Sequence, residues 1–181
     1  HKQKDMLKSL KKKEKDLIAK QKEQQKKVDQ LNKKIEELIS KQVRTTTTLT
    51  KEQQLIAGGF EANQGRMPWP IEKGFISGYF GKHQHPIHEH VTIENKGIYL
   101  QTVSGADARA IYEGEVTWCA QMNGSYAVIV QHGNYRSVYS QLAKIYVKQG
   151  DKLQAKQAIG QIQTDTSEDN KTELYFQIYK D

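Results

Sequence analysis

From Lys2 to about Val43, steps of three and four residues from Leu7 land on Leu10, Leu17, Val28, Leu31, Ile35 and Leu38. Glu14, Gln21, Gln24 and Gln42 fill the other positions of the same seam. This heptad pattern predicts one long helix, with a seam that is apolar in its second half and polar in its middle. No Gly or Pro interrupts the stretch, and Lys, Glu, Gln and Leu, all good helix formers, dominate it. At 1.5 Å per residue it would reach roughly 60 Å. So narrow an apolar stripe needs a partner helix, either a second copy or an earlier arm of the same protein.

Arg44-Thr-Thr-Thr-Thr-Leu49 ends the seam, because a run of β-branched residues disfavours further helix. Thr50, with Gln53 three positions on, has the form of a capping box and predicts a short helix from Thr50 to about Ala62. Leu55, Ile56 and Phe60 give that helix an apolar face. Two uses of the face are open: a regulatory one, across a functional groove, and a structural one, on the flank of the following domain.

Past Met67 the helical period disappears. Ile98–Val103, Ala108–Tyr112, Glu115–Trp118, Tyr126–Gln131, Arg136–Tyr139 and Glu173–Ile178 are short runs of β-branched and aromatic residues separated by turn residues. Pro68 and Pro70 flank Trp69 and favour extended backbone, which predicts an indole packed against the sheet. Val103–Val116 and Val147–Ile162 echo one another: a hydrophobe, a Gly-containing turn with Asp, then a second Gly before a hydrophobe. Gly at each point would permit the positive φ of tight connections. The expected architecture is α+β overall: a coiled-coil helix over 1–44, a linker with a short helix over 45–66, and a mainly β domain of antiparallel sheet or sandwich form, built from duplicated hairpins, over 67–181.

The formal charge of +7 is unevenly placed, since up to Arg44 Lys and Arg outnumber Asp and Glu about two to one while the remainder is near neutral. Basic charge raises the question of nucleic acid. The β segment, however, has no basic stripe with interleaved aromatics, so nucleic-acid binding is not expected. Cys119, the single cysteine, lies in a strand-like run and cannot form an internal disulfide. No apolar run approaches the roughly 20 residues of a membrane span. The chain begins with His1 rather than Met, which suggests a longer protein with a leader removed.

Four pieces carry candidate chemistry: Phe80-Gly81, Asn95-Lys-Gly-Ile-Tyr99 leading to Gly114-Glu-Val116, Val138-Tyr-Ser-Gln-Leu142, and Glu173-Leu-Tyr-Phe-Gln-Ile178. Together they resemble the LytM or lysostaphin-like zinc peptidases of peptidoglycan. In active members the second piece reads H-x-G-x-D, the third ends Tyr-x-His-Leu, and the fourth is His-Leu-His-Phe. The matching residues here are Asn95, Tyr99, Gln141, Glu173 and Tyr175. Catalytic zinc takes three N, S or O ligands and an open position for water. Of the five residues only Glu173 offers a good ligand atom. Amide oxygens suit harder cations, and a phenol ligates only after losing a proton held to about pH 10. The resemblance therefore implies a pocket without metal or other cofactor, and without catalytic residues.

His83-x-His85-x-x-His88-x-His90 has plausible metal spacing, but no carboxylate or Cys stands nearby in sequence to complete the shell, and a solvated loop is the plainer expectation. His132 matches a position that active relatives also fill with His without using it as a ligand, and is expected to be structural. Degenerate LytM domains on coiled-coil stalks are similar to EnvC-type murein hydrolase activators. That resemblance implies a periplasmic or cell-envelope protein of cell division, with Asn95, Tyr99, Gln141, Glu173 and Tyr175 lining a groove that docks a cell-wall amidase, and with the stalk engaging a membrane division complex. The alternatives are a residual zinc peptidase and a peptidoglycan-binding anchor.

Overall fold

The computed structural model describes residues 2–45, 48–84, 92–167 and 169–180. They fall into two units, one built on a long helix and one on a β-sheet. Helix α1 runs without a break from Lys2 to Thr45 and stops inside the threonine run. Along it Leu7, Leu10 and Leu17 are exposed while Ile35 and Ile39 are buried. Ile18, Gln25, Asn32 and Ile39 are withdrawn from solvent together with Gln21, Val28, Ile35 and Gln42. The covered stripe thus lies one position off the predicted seam over half its length, since Leu17 and Gln24 remain exposed.

Helix α2 (Lys51–Ala62) begins at Thr50, whose hydroxyl accepts a 3.1 Å bond from the Gln53 amide. The cap is as predicted, but the Gln53 side chain does not close the box. Its Oε1 accepts from the Gly133 amide instead, at 2.9 Å. Residues 45–66 read from sequence as a linker, yet α2 belongs to the β unit, because Phe60 gains more by burial there than by staying in solvent.

The β unit comprises β1 (Phe75–Gly78), β2 (Gly81–Gln84), β3 (Thr92–Asn95), β4 (Ile98–Thr102), β5 (Asp107–Arg109), β6 (Gly114–Met122), β7 (Ser125–His132), β8 (Tyr135–Ile145), β9 (Lys152–Leu153), β10 (Ala158–Ile162), β11 (Thr164–Asp165) and β12 (Lys171–Lys180). Among the described residues the main sheet has the order β1-β4-β12-β8-β7-β6-β9, with β10 joining β5 and β8, and β11 joining β12; β2 and β3 form a separate pair. Among the described residues the pairings β1–β4, β4–β12, β12–β8, β8–β7, β7–β6, β6–β9, β5–β10, β10–β8 and β11–β12 are all antiparallel. Leu100, Val116, Val128, Val130, Tyr139, Leu174 and Phe176 project from one face into a single core with Ile111, Ile159 and Ile162. By strand alternation Tyr99, Glu173 and Tyr175 lie on the opposite face.

The two echoing segments pair with each other. β5 of the first joins β10 of the second, and the start of β6 joins β9. Their glycines divide into two kinds. Gly105 and Gly150 have φ of 86° and 95°, as turn glycines should. Gly114 and Gly160 do not adopt positive φ; a Cβ there would strike the carbonyls of Gln131 and Lys144, so strand crossing, and not turn geometry, requires them. Trp69 also departs from expectation, at 56% exposed, while Ile71 two residues on supplies the buried anchor. The extended Pro-flanked backbone alternates sides, and it is the Ile71 side that meets the sheet.

Candidate functional site

The central strands bring most of the frame residues together. Tyr99 on β4 stands directly opposite Tyr175 on β12, and Tyr175 opposite Ser140 on β8. The Tyr99 and Tyr175 rings lie 4.7 Å apart at 30°. Tyr175 is fully buried, so it does not project into an open groove as its frame position suggests. Directly opposed aromatics on paired strands gain more by covering each other than by facing water. Gln141 follows Ser140 at an irregularity of β8, with φ of 67°, and its carbonyl accepts from the Gln163 amide at 2.9 Å.

Asn95 closes β3 and is buried; its Nδ2 donates to the Tyr79 carbonyl at 2.9 Å. The chain then turns through Gly97 into β4. A Cβ on Gly97 would collide with the Phe176 carbonyl on β12, so this glycine lets Asn95 and Tyr99 approach the last strand. Glu173, two residues before Tyr175 on the same face, accepts from the Ser77 hydroxyl at 2.5 Å and pairs with Lys171 at 3.4 Å. Ser77 is the site residue the sequence does not flag. Its place two residues from Phe75 fixes its face, but only the pairing of β1 with β4 puts it beside Glu173.

This arrangement does not fit a catalytic zinc. Asn95 directs its amide nitrogen at a carbonyl, Glu173 is engaged by a hydroxyl and an ammonium, and the two phenol rings pack against each other at a tilt. One carboxylate among neutral donors supplies neither the ligand count nor the imidazoles such sites use. Of the His83 to His90 cluster, His83 falls in β2, and His85, His88 and His90 lie outside the described residues.

At the far end of β7 and β8 a second cluster is internally complete. His132 is fully buried, with Nδ1 2.8 Å from the Glu113 carbonyl and Nε2 2.8 Å from Ser137 Oγ. A carbonyl only accepts, so Nδ1 carries the proton and the neutral ring accepts from Ser137. Burial drives the His132 pKa down to about 4, with the Glu113 carbonyl pulling weakly the other way. Next to it Tyr139, whose hydroxyl lies 3.1 Å from Ser137 Oγ and accepts from the Ile111 amide, is pushed up to about 12 by burial. Phe60 of α2 stacks on His132 at 4.9 Å and on Tyr135 at 4.7 Å, and Glu61 accepts from the Tyr135 hydroxyl at 2.5 Å. Of the predicted α2 face, Phe60 is therefore buried on this end of the sheet, Ile56 is half-buried and Leu55 is 79% exposed.

The sequence profile of Peptidase family M23 matches residues 93–181. The chain thus carries an M23, LytM-like domain, with a long helix before it. Among solved structures it is similar to a chain of the SpoIIIAH and SpoIIQ complex at 25% identity and a TM-score of 0.54, over 64% of this chain and 93% of that one. Helicobacter pylori Csd3 matches at 21% identity and a TM-score of 0.51, over 63% of this chain and 31% of that one. A zinc containing peptidase from Vibrio cholerae matches at 22% and 0.50, over 62% and 36%. The last two likenesses establish the fold alone, and the chain spans about a third of the length of each. No curated protein matches the chain.

Proposed function

We propose that this protein is a non-catalytic activator or positioning factor for a cell-wall amidase, working at the cell envelope during division or daughter-cell separation. The observation that carries the reading is the filling of the M23 frame. The chain matches the M23 profile over residues 93–181, and by the resemblance Asn95, Tyr99, Gln141, Glu173 and Tyr175 fall where active relatives carry ligands and base. A fold kept without its metal chemistry acts by contact. Phe75, two residues before the Ser77 that bonds Glu173, and Tyr79, whose carbonyl accepts from Asn95, are 60% and 61% exposed and supply the aromatic area that interfaces favour. Likeness to a chain from a two-protein complex supports a binding role for such domains.

The test is release of soluble fragments from purified peptidoglycan by an amidase with and without the full chain. Stimulation by the chain, and no release by the chain alone with zinc added, is the expected result. Identical release with and without the chain rejects the activator reading. Release by the chain alone supports a residual peptidase, and sedimentation with sacculi in the absence of amidase supports an anchor.

A further inference from the structure

The heptad register of α1 carries a feature outside the seam itself. With Leu7, Glu14, Gln21, Val28, Ile35 and Gln42 at a, and Leu10, Leu17, Gln24, Leu31 and Leu38 at d, the g positions of five successive heptads are Lys13, Lys20, Lys27, Lys34 and Lys41. All five lie within one unbroken helix and are exposed. Beside this row the d-position leucines Leu10 and Leu17 are 61% and 39% exposed, and Leu31 and Leu38 are half-buried. One face of α1 is therefore a leucine row edged by a lysine row.

We propose that this face docks an acidic amphipathic helix of a different sequence, with Asp or Glu flanking its own apolar seam. Positions e and g set partner choice in paired helices. In a parallel pair of identical copies, Lys13, Lys20, Lys27 and Lys34 would face Ile18, Gln25, Asn32 and Ile39 of the second copy, none of them acidic. In an antiparallel pair the lysine rows would face each other, and like charges repel. Asp16, Glu23 and Glu37 precede Lys20, Lys27 and Lys41 by four residues and offset part of the charge along the helix. Basic residues still outnumber acidic ones about two to one from Lys2 to Arg44, a surplus complementary to an acidic partner. A membrane surface fits less well, since a surface-bound helix buries a broad apolar face and this one offers about one leucine per heptad. The inference does not rest on the amidase reading.

The test uses the full chain and two labelled synthetic helices of about four heptads, with Leu and Ile at the seam and either Glu or Lys at every e and g position. Fluorescence anisotropy is expected to show the Glu helix binding about tenfold or more tighter than the Lys helix, with the difference shrinking between about 50 mM and about 0.5 M salt. The variant carrying K13E, K20E, K27E, K34E and K41E together should reverse the preference while circular dichroism shows unchanged helix content. Equal binding of the two helices, or binding of neither, overturns the proposal. So does self-association in sedimentation that the reversed variant retains, or anionic phosphatidylglycerol vesicles displacing the Glu helix.

Discussion

Two clusters on strands β7, β8 and β12 gather polar and aromatic residues, and their contacts differ. Around His132 each group satisfies another: Glu113, Ser137, Tyr139 and the Ile111 amide form a chain of bonds with Phe60 of α2 stacked over it. Around Tyr99 and Tyr175 the contacts are a tilted ring pair, an amide on a carbonyl and a hydroxyl on a carboxylate. A buried histidine anchors one end, while an amide, two phenols and a carboxylate gather at the other.

The largest effect belongs to the first end. Phe60→Ala should cost about 3 to 5 kcal/mol of β-unit stability, read by chemical denaturation, because it empties a stacked and buried position. Leu55→Ala on the same helix, 79% exposed, should fall within about 0.5 kcal/mol. Equal losses at the two positions would mean that α2 is held by some other contact.

Next is a pH dependence owed to His132. Its folded pKa of about 4 lies below the ordinary value of 6.5, so between these values the unfolded chain binds more protons. Stability should therefore fall as pH drops from about 6.5 to 4, by up to about 3 kcal/mol, and His132→Asn should flatten that slope. An unchanged slope in the variant would assign the dependence to other groups.

At the second end Gly97→Ala should cost about 2 kcal/mol, because the new methyl meets the Phe176 carbonyl and pushes β4 from β12. The Tyr99 and Tyr175 ring contact should loosen with it, which near-ultraviolet circular dichroism reports. A change in that signal without loss of stability would show that the strands can part cheaply.

Much of the fold is legible in local pattern. The threonine run ends α1, Thr50 caps α2, and the alternating β-branched runs become strands. The family likeness is legible too, and the matching profile spans residues 93–181. What the frame residues touch is not legible, since cross-strand register is a long-range property. That Tyr175 buries itself on Tyr99, or that Ser77 reaches Glu173, follows only from the pairings β4–β12 and β1–β4. The echoing segments show the same divide, as their likeness is visible in sequence but their pairing with each other is not. Trp69 and Ile71 differ by which side of an extended segment meets the sheet, and composition favours the larger residue.

The most direct test is zinc per chain in purified protein, compared with a variant carrying N95H, Y99D, Q141H, E173H and Y175H together. The unaltered chain should hold no zinc at the frame positions, and the variant should gain about one equivalent. One equivalent in the unaltered chain, lost on Glu173→Ala and surviving replacement of His83, His85, His88 and His90 by Ala, would contradict the account.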